Sequence, residues 1–188
     1  MTTLATPDRL PSGPLSARLG FTGLVALAEA AHLAWEQLDG GIVSHNLLND
    51  PNLPALWNGW GIVVLPALAW VASRRAFERS GRGWRMHPPL VLRLLCAVAA
   101  GIALAAAFSA GREDLSGAIF LAVALSSLVV RVYKAEYLLG FALGMALTFG
   151  GVLPVLIGGV IGLVSAIAWL GVYPLLLRAW RLARVFRR

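Results

Sequence analysis

Residues 19–39 read LGFTGLVALAEAAHLAWEQLD, and this stretch decides how the rest of the chain is read. It is apolar enough for a membrane-spanning helix, yet it carries Glu29, His32, Glu36 and Asp39. At about 100° per residue those side chains fall within about an 80° arc of one helix face. An ionisable group in a spanning helix costs about 2.5–3.5 kcal/mol at the centre and less toward the ends. Such groups face a protein interior or a water-filled cavity, where they find partners. The stretch therefore predicts a spanning helix with a polar stripe turned into a helical bundle.

The remaining sequence supplies that bundle. Apolar segments run over residues 19–38, 55–73, 90–110, 115–132, 137–152 and 155–177, each a candidate span. Of the 188 residues, 59% are hydrophobic and 13% charged, with a mean hydropathy of +0.76. A soluble domain averages about 45–50% apolar and about 25% charged. The expected fold class is all-α: a polytopic bundle of six transmembrane helices, forming one integral membrane domain over residues 1–188. No polar stretch is long enough for a second domain.

The net charge of +7 raises nucleic-acid binding as a function. The placement of the charges excludes it, because the basic residues flank apolar segments and form no stripe with interleaved aromatics. In a six-span arrangement 15 of the 16 Lys and Arg residues fall on one side, and only Arg112 falls on the other. Arg9 and Arg18 precede the first span; Arg74, Arg75, Arg79, Arg82 and Arg85 fill the second loop, and Arg93 opens the third span. Arg131 and Lys134 sit at the fourth loop. Positive charge is retained on the cytoplasmic side, so both termini are expected inside, as in a bacterial inner membrane. Trp57 and Trp60 then fall at the outer interface, where aromatic belts form. Ala28-Glu29-Ala30 has the form of a signal-peptidase site. The apolar run continues through Leu33, Ala34 and Trp35, which favours a retained span.

The tail, residues 178–188, reads as a basic amphipathic helix. Arg178, Arg181, Arg184, Arg187 and Arg188 suit the head groups of an anionic leaflet, and Leu182, Val185 and Phe186 form the apolar face. The pairs Gly140/Gly144 and Gly158/Gly162 have the small-xxx-small spacing that lets helices approach closely, within the bundle or between copies of the chain. Gly150 and Gly151 before Pro154 read as a tight outer hairpin. Cys96 is the only cysteine, so no intrachain disulfide can form, and it reads as a buried thiol.

The chemistry concentrates near the outward end of the first span. Gly40 and Gly41 break the helix, and the loop over residues 42–54 brings His45, Asn46, Asn49 and Asp50. Folded back on the bundle mouth, that loop places His45 beside His32 and Glu36. Arg112, Glu113 and Asp114 belong to the same side. Imidazole nitrogen with carboxylate oxygen suits copper, zinc or iron. His32 and His45 are the candidate nitrogen ligands, Glu29 and Glu36 the candidate carboxylates, and Asp39 a candidate to orient an imidazole. Three alternatives stand beside a metal: proton or cation handling for transport by Glu29 and Glu36, a purely structural accessory role, and a simple pairing of His32 with Glu36 one helical turn apart. Glu29 and His32 also make one Glu-x-x-His unit, but a di-iron bundle needs two. On the cytoplasmic side, Glu136 can pair with Arg131, Lys134 or Arg93, and that group can alternatively hold a lipid head group. His87 reads as a solvated loop histidine.

Residues 29–61 resemble part of the metal-binding region of the C subunit of copper membrane monooxygenases, the methane and ammonia oxidisers. The likeness rests on a carboxylate, His32, a gap of twelve residues and His45, followed by Pro54 and Gly61. Ala28 stands where the family carries its aspartate, and Glu29 follows one place later. The resemblance implies a metal site at His32, His45 and Glu29 and assembly with other membrane subunits.

Soluble-type acyl and nucleotide chemistry has no support, because neither a G-x-S-x-G nor a P-loop pattern occurs. The His-Glu-x-x-His motif is also absent. With His87 on the opposite side, three histidines cannot gather at one intramembrane site.

Overall fold

The computed structural model describes residues 15–47, 50–74, 77–80 and 83–185. Of the residues singled out above, Arg9, Asn49, Arg75, Arg82, Phe186, Arg187 and Arg188 lie outside these. The described chain is mostly helical, in the order α1 (Leu15–Leu38), β1 (Ser44–Asn46), β2 (Ala55–Trp57), α2 (Gly61–Ser73), β3 (Phe77–Ser80), β4 (Gly83–Met86), α3 (Pro88–Ser109), α4 (Glu113–Val129), α5 (Ala135–Phe149), α6 (Val152–Ala166) and α7 (Tyr173–Val185). The all-α expectation therefore holds, with two short antiparallel hairpins added, β1–β2 and β3–β4.

The hairpin β1–β2 changes the second expected span. Ser44, His45 and Asn46 pair with Trp57, Leu56 and Ala55. Backbone groups of residues 55–57 are thus committed to a ladder, and Asn58–Trp60 form a 3₁₀ turn. The helix expected from residue 55 starts only at Gly61. At the other end, the tail does not form a separate helix: α6 runs through a π-helical stretch, Ile167–Val172, into α7.

Among the described residues, two helices are long and apolar enough to cross a membrane, Pro88–Ser109 with 22 residues and Val152–Arg184 with 33, against the six that the apolar segments predict. The others fall short for identifiable reasons. The 24-residue α1 carries the ionisable stripe, and α2, α4 and α5 have 13, 17 and 15 residues.

The core forms around α5. Val25, Leu65, Ala69, Leu139 and Ala142 make one buried cluster, and Ala97, Leu104, Phe141 and Met145 a second. α3 and α5 touch backbone to backbone: a Cβ on Gly140 would strike the Leu94 carbonyl, and one on Gly144 the Val98 carbonyl. Gly140 and Gly144 thus serve packing inside the bundle, as small-xxx-small pairs do. Gly158 abuts the Leu138 and Phe141 side chains, whereas Gly162 meets only ordinary contact. The outer surface is apolar, with Leu24, Leu27, Leu92, Leu121, Leu147 and Leu163 all exposed.

Candidate functional site

α1 turns its polar stripe toward α2 and the start of α6. Glu29 is 3% exposed although ionisable. Its carboxylate lies against two glycines from distant parts of the chain: a Cβ on Gly61 would strike Glu29 Oε1, and one on Gly151 would come within 2.9 Å of the same atom. Only glycine at both positions leaves room for the carboxylate, which is why α1, α2 and α6 can close around a charged group.

One turn outward, His32 stands between two carboxylates. Its Nδ1 is 3.6 Å from Glu29 Oε2 and its Nε2 is 3.5 Å from Glu36 Oε1. Both separations exceed the 2.7–3.2 Å range of an N–H···O hydrogen bond. Glu29 Oε1 and His32 Nδ1 are buried without a hydrogen-bond partner. Burying polar atoms unpaired costs about 1–3 kcal/mol each. The pair is therefore under-satisfied as it stands.

Glu36 is held firmly. Its Oε1 accepts from the Asn58 side-chain amide at 2.6 Å, and its Oε2 accepts from the Val43 backbone N–H at 3.1 Å. Asn58 is 1% exposed, and its backbone N–H donates to the Val43 carbonyl at 3.0 Å. A Cβ on Gly150 would strike the Asn58 amide, and Gly150 has φ +70°, so the α5–α6 turn also requires glycine there. Asn58, Gly61, Gly150 and Gly151 were not singled out as site residues by sequence reasoning. The one signal for Asn58 is an amide at the start of an otherwise apolar segment.

The loop after α1 reverses through Gly40 and Gly41, with φ of 124° and 114°. It returns as β1, where His45 sits opposite Leu56 with its ring 6.3 Å from that of Phe149. Burial pushes the His45 imidazole below its usual range; Glu36 partly offsets this and His32 adds to it. His45 is thus near enough to feel both side chains, and it is neutral near pH 7. Asp39 is exposed at the end of α1, and its side chain makes no hydrogen bond among the described residues. Arg112, Glu113 and Asp114 are exposed at the α3–α4 turn and pair with none of these groups. Among the described residues, no three His, Cys, Asp or Glu side chains are gathered closely enough to form a metal cluster as they stand.

At the opposite end of the bundle, Arg93 pairs with Glu136 at 3.3 Å. Arg18 donates to Ser73 Oγ and to the Trp70 carbonyl, both at 3.3 Å, and lies 3.8 Å over the Trp70 ring. It therefore ties the start of α1 to the end of α2. Arg178, Arg181 and Arg184 are exposed along α7, and Arg184 lies over Trp180. His87 precedes α3, and its carbonyl accepts from the Leu90 N–H. Cys96 is exposed rather than buried, because it borders an open cleft beside α3. No family model, no curated protein and no solved structure matches this chain.

Proposed function

We propose that the chain is a six-span inner-membrane protein, with both termini cytoplasmic, whose outward-facing mouth binds a transition-metal ion as part of a larger membrane enzyme. The membrane reading draws on the exposed leucines around the bundle, since apolar surface of that extent calls for a membrane or a partner. It draws equally on the one-sided Lys and Arg distribution. Short helices are accommodated by small tilt, by local thinning of the bilayer or by flanking residues.

The observation that carries the metal reading is the setting of His32, with one nitrogen toward a buried carboxylate and the other toward Glu36. A ligating histidine typically uses one nitrogen for the metal and donates the other N–H to a carboxylate that fixes its tautomer. In this reading His32 Nε2, Glu36 and His45 are the ligands, and Glu29 orients His32 from below. The 3.5 Å between Nε2 and Glu36 Oε1 is near the edge of a tetrahedron whose metal–ligand bonds are about 2.0–2.1 Å, an edge of about 3.3–3.4 Å. A neutral His45 suits the role, because a ligating imidazole must be unprotonated. Copper, zinc and iron all accept this donor set.

Elemental analysis of the detergent-purified protein beside the His32→Ala/His45→Ala variant tests it. Near-stoichiometric metal that disappears in the variant is the expected result. Wild-type protein that is metal-free and takes up none on titration refutes it. One observation favours a second reading, proton-coupled transport: the buried Glu29 Oε1 has no partner, and a proton there would remove its uncompensated charge. Under that reading Glu29→Gln abolishes flux, and metal content is irrelevant.

A further inference from the structure

α3 and α5 are drawn together by their glycines, while α4 leans on α3 and α6. The unequal packing leaves a cleft of about 330 Å³ between these four helices, within the range of about 300–1,000 Å³ that ligand pockets occupy. Its wall is mostly hydrocarbon, including Ala100, Val123, Leu138, Phe141 and Ile161, with Tyr137 and the Cys96 thiol also on it. Ser126 also lines it, but its hydroxyl donates to the Val123 carbonyl of its own helix at 2.7 Å and has no proton to offer a ligand. No carboxylate lines the cleft. Such a wall selects an alkyl chain over a polar solute.

The rim has the opposite character. Val130 and Val132 line the cleft and bracket Arg131 in sequence. The Arg131 guanidinium lies 4.5 Å from the centre of the Trp169 ring. Stacking of this kind leaves the in-plane N–H edge available to an anion. Lys134 follows three residues later, and among the described residues neither Arg131 nor Lys134 meets a carboxylate. The nearby Glu136 is already taken by Arg93. Arg131 and Lys134 thus sit in the α4–α5 connection that supplies Val130 and Val132 to the cleft, and two cations there complement an anionic amphiphile.

We infer that the cleft between α3, α4, α5 and α6 holds one acyl chain of an anionic phospholipid, whose net negative head group rests on Arg131 and Lys134. The inference rests on the membrane part of the proposed function and is independent of the metal site. The two fail separately: a chain extracted from membranes by alkaline carbonate would refute the membrane reading. An integral protein without lipid preference would refute only this inference.

The test is native mass spectrometry of the full chain in mild detergent, with equimolar phosphatidylglycerol and phosphatidylcholine of identical acyl chains. One retained phosphatidylglycerol is expected, preferred by about 25-fold, about fivefold for each of two basic side chains near a head group. Arg131→Gln/Lys134→Gln should bring the preference near unity. Ala100→Phe, which fills the slot from α3, should remove the retained lipid, and Val123→Phe should do the same from α4. Equal retention of both lipids by the wild type, or unchanged retention in the filled variants, overturns the inference. Should the filled variants not fold, the wild type still decides. Cys96 is the only cysteine and lines the cleft, so phosphatidylglycerol should slow its alkylation by a small maleimide while phosphatidylcholine does not. An equal rate with both lipids refutes the site.

Discussion

Replacing Gly61 by alanine adds one methyl group at the point where α1, α2 and α6 converge. That methyl would strike Glu29 Oε1, lie 2.9 Å from Glu29 Cδ, and lie 3.4 Å from Gly151 Cα. The Gly151 backbone lies against the same carboxylate oxygen and limits its retreat. Overpacking of this kind costs about 1–3 kcal/mol. Alanine recovers at most about 1 kcal/mol through its better helix propensity, and less than that here, since Gly61 is the first residue of α2. The net expectation is a loss of about 1–2 kcal/mol, a fall in Tm of about 2–8 °C for a chain of this size. Thermal unfolding in detergent, followed by circular dichroism, measures it. A double-mutant cycle with Glu29→Ala isolates the cause. With the carboxylate removed, the added methyl has space, so Gly61→Ala should become neutral or stabilising. Should Gly61→Ala leave stability unchanged in the wild type, or cost the same with and without Glu29, the idea that glycine makes room for the carboxylate is wrong.

Other perturbations follow from the same geometry. Asn58→Ala removes the 2.6 Å donor to Glu36 and should destabilise by about 1.5–3 kcal/mol, the range for a hydrogen bond to a charged group; loss within 0.5 kcal/mol would refute it. Arg18→Ala should lose about 1–2 kcal/mol through its stacking on Trp70 and its bonds to Ser73 and the Trp70 carbonyl. Arg18→Lys should recover only part of that, because an ammonium cannot stack and fork together. Under the metal reading, Glu29→Gln should lower metal affinity about 10–100-fold, as loss of an orienting carboxylate does. Its stoichiometry should be unchanged on titration, whereas His32→Ala should abolish binding.

The polar stripe was legible because a helix repeats every 3.6 residues, a property of the local chain alone. Glu29, His32 and Glu36 share a face in any α1, and the structure puts His32 between the two carboxylates as that spacing requires. The helical class was legible for a similar reason, since long apolar segments without alternation can satisfy their backbone groups internally. The break at Gly40 and Gly41 was equally local.

What closes the site was not legible. Asn58 reaches Glu36 across 22 residues, and Gly151 borders Glu29 from the far end of α5. Nothing in an Asn or a Gly–Gly pair announces which distant carboxylate it will meet. The start of α2 was misread for the same reason. Residues 55–57 are apolar enough for a helix, but their backbone bonds go to β1, and a ladder partner lies outside any local window. Sequence by itself determined the periodic and compositional facts: a helical, apolar chain with one charged face and one-sided positive charge. Tertiary structure decided the rest: the glycine-lined gap that admits a buried carboxylate, the amide that grips Glu36, and the strand pairing by which the loop returns His45. Those depend on close contact between segments far apart in the chain, which local pattern does not encode.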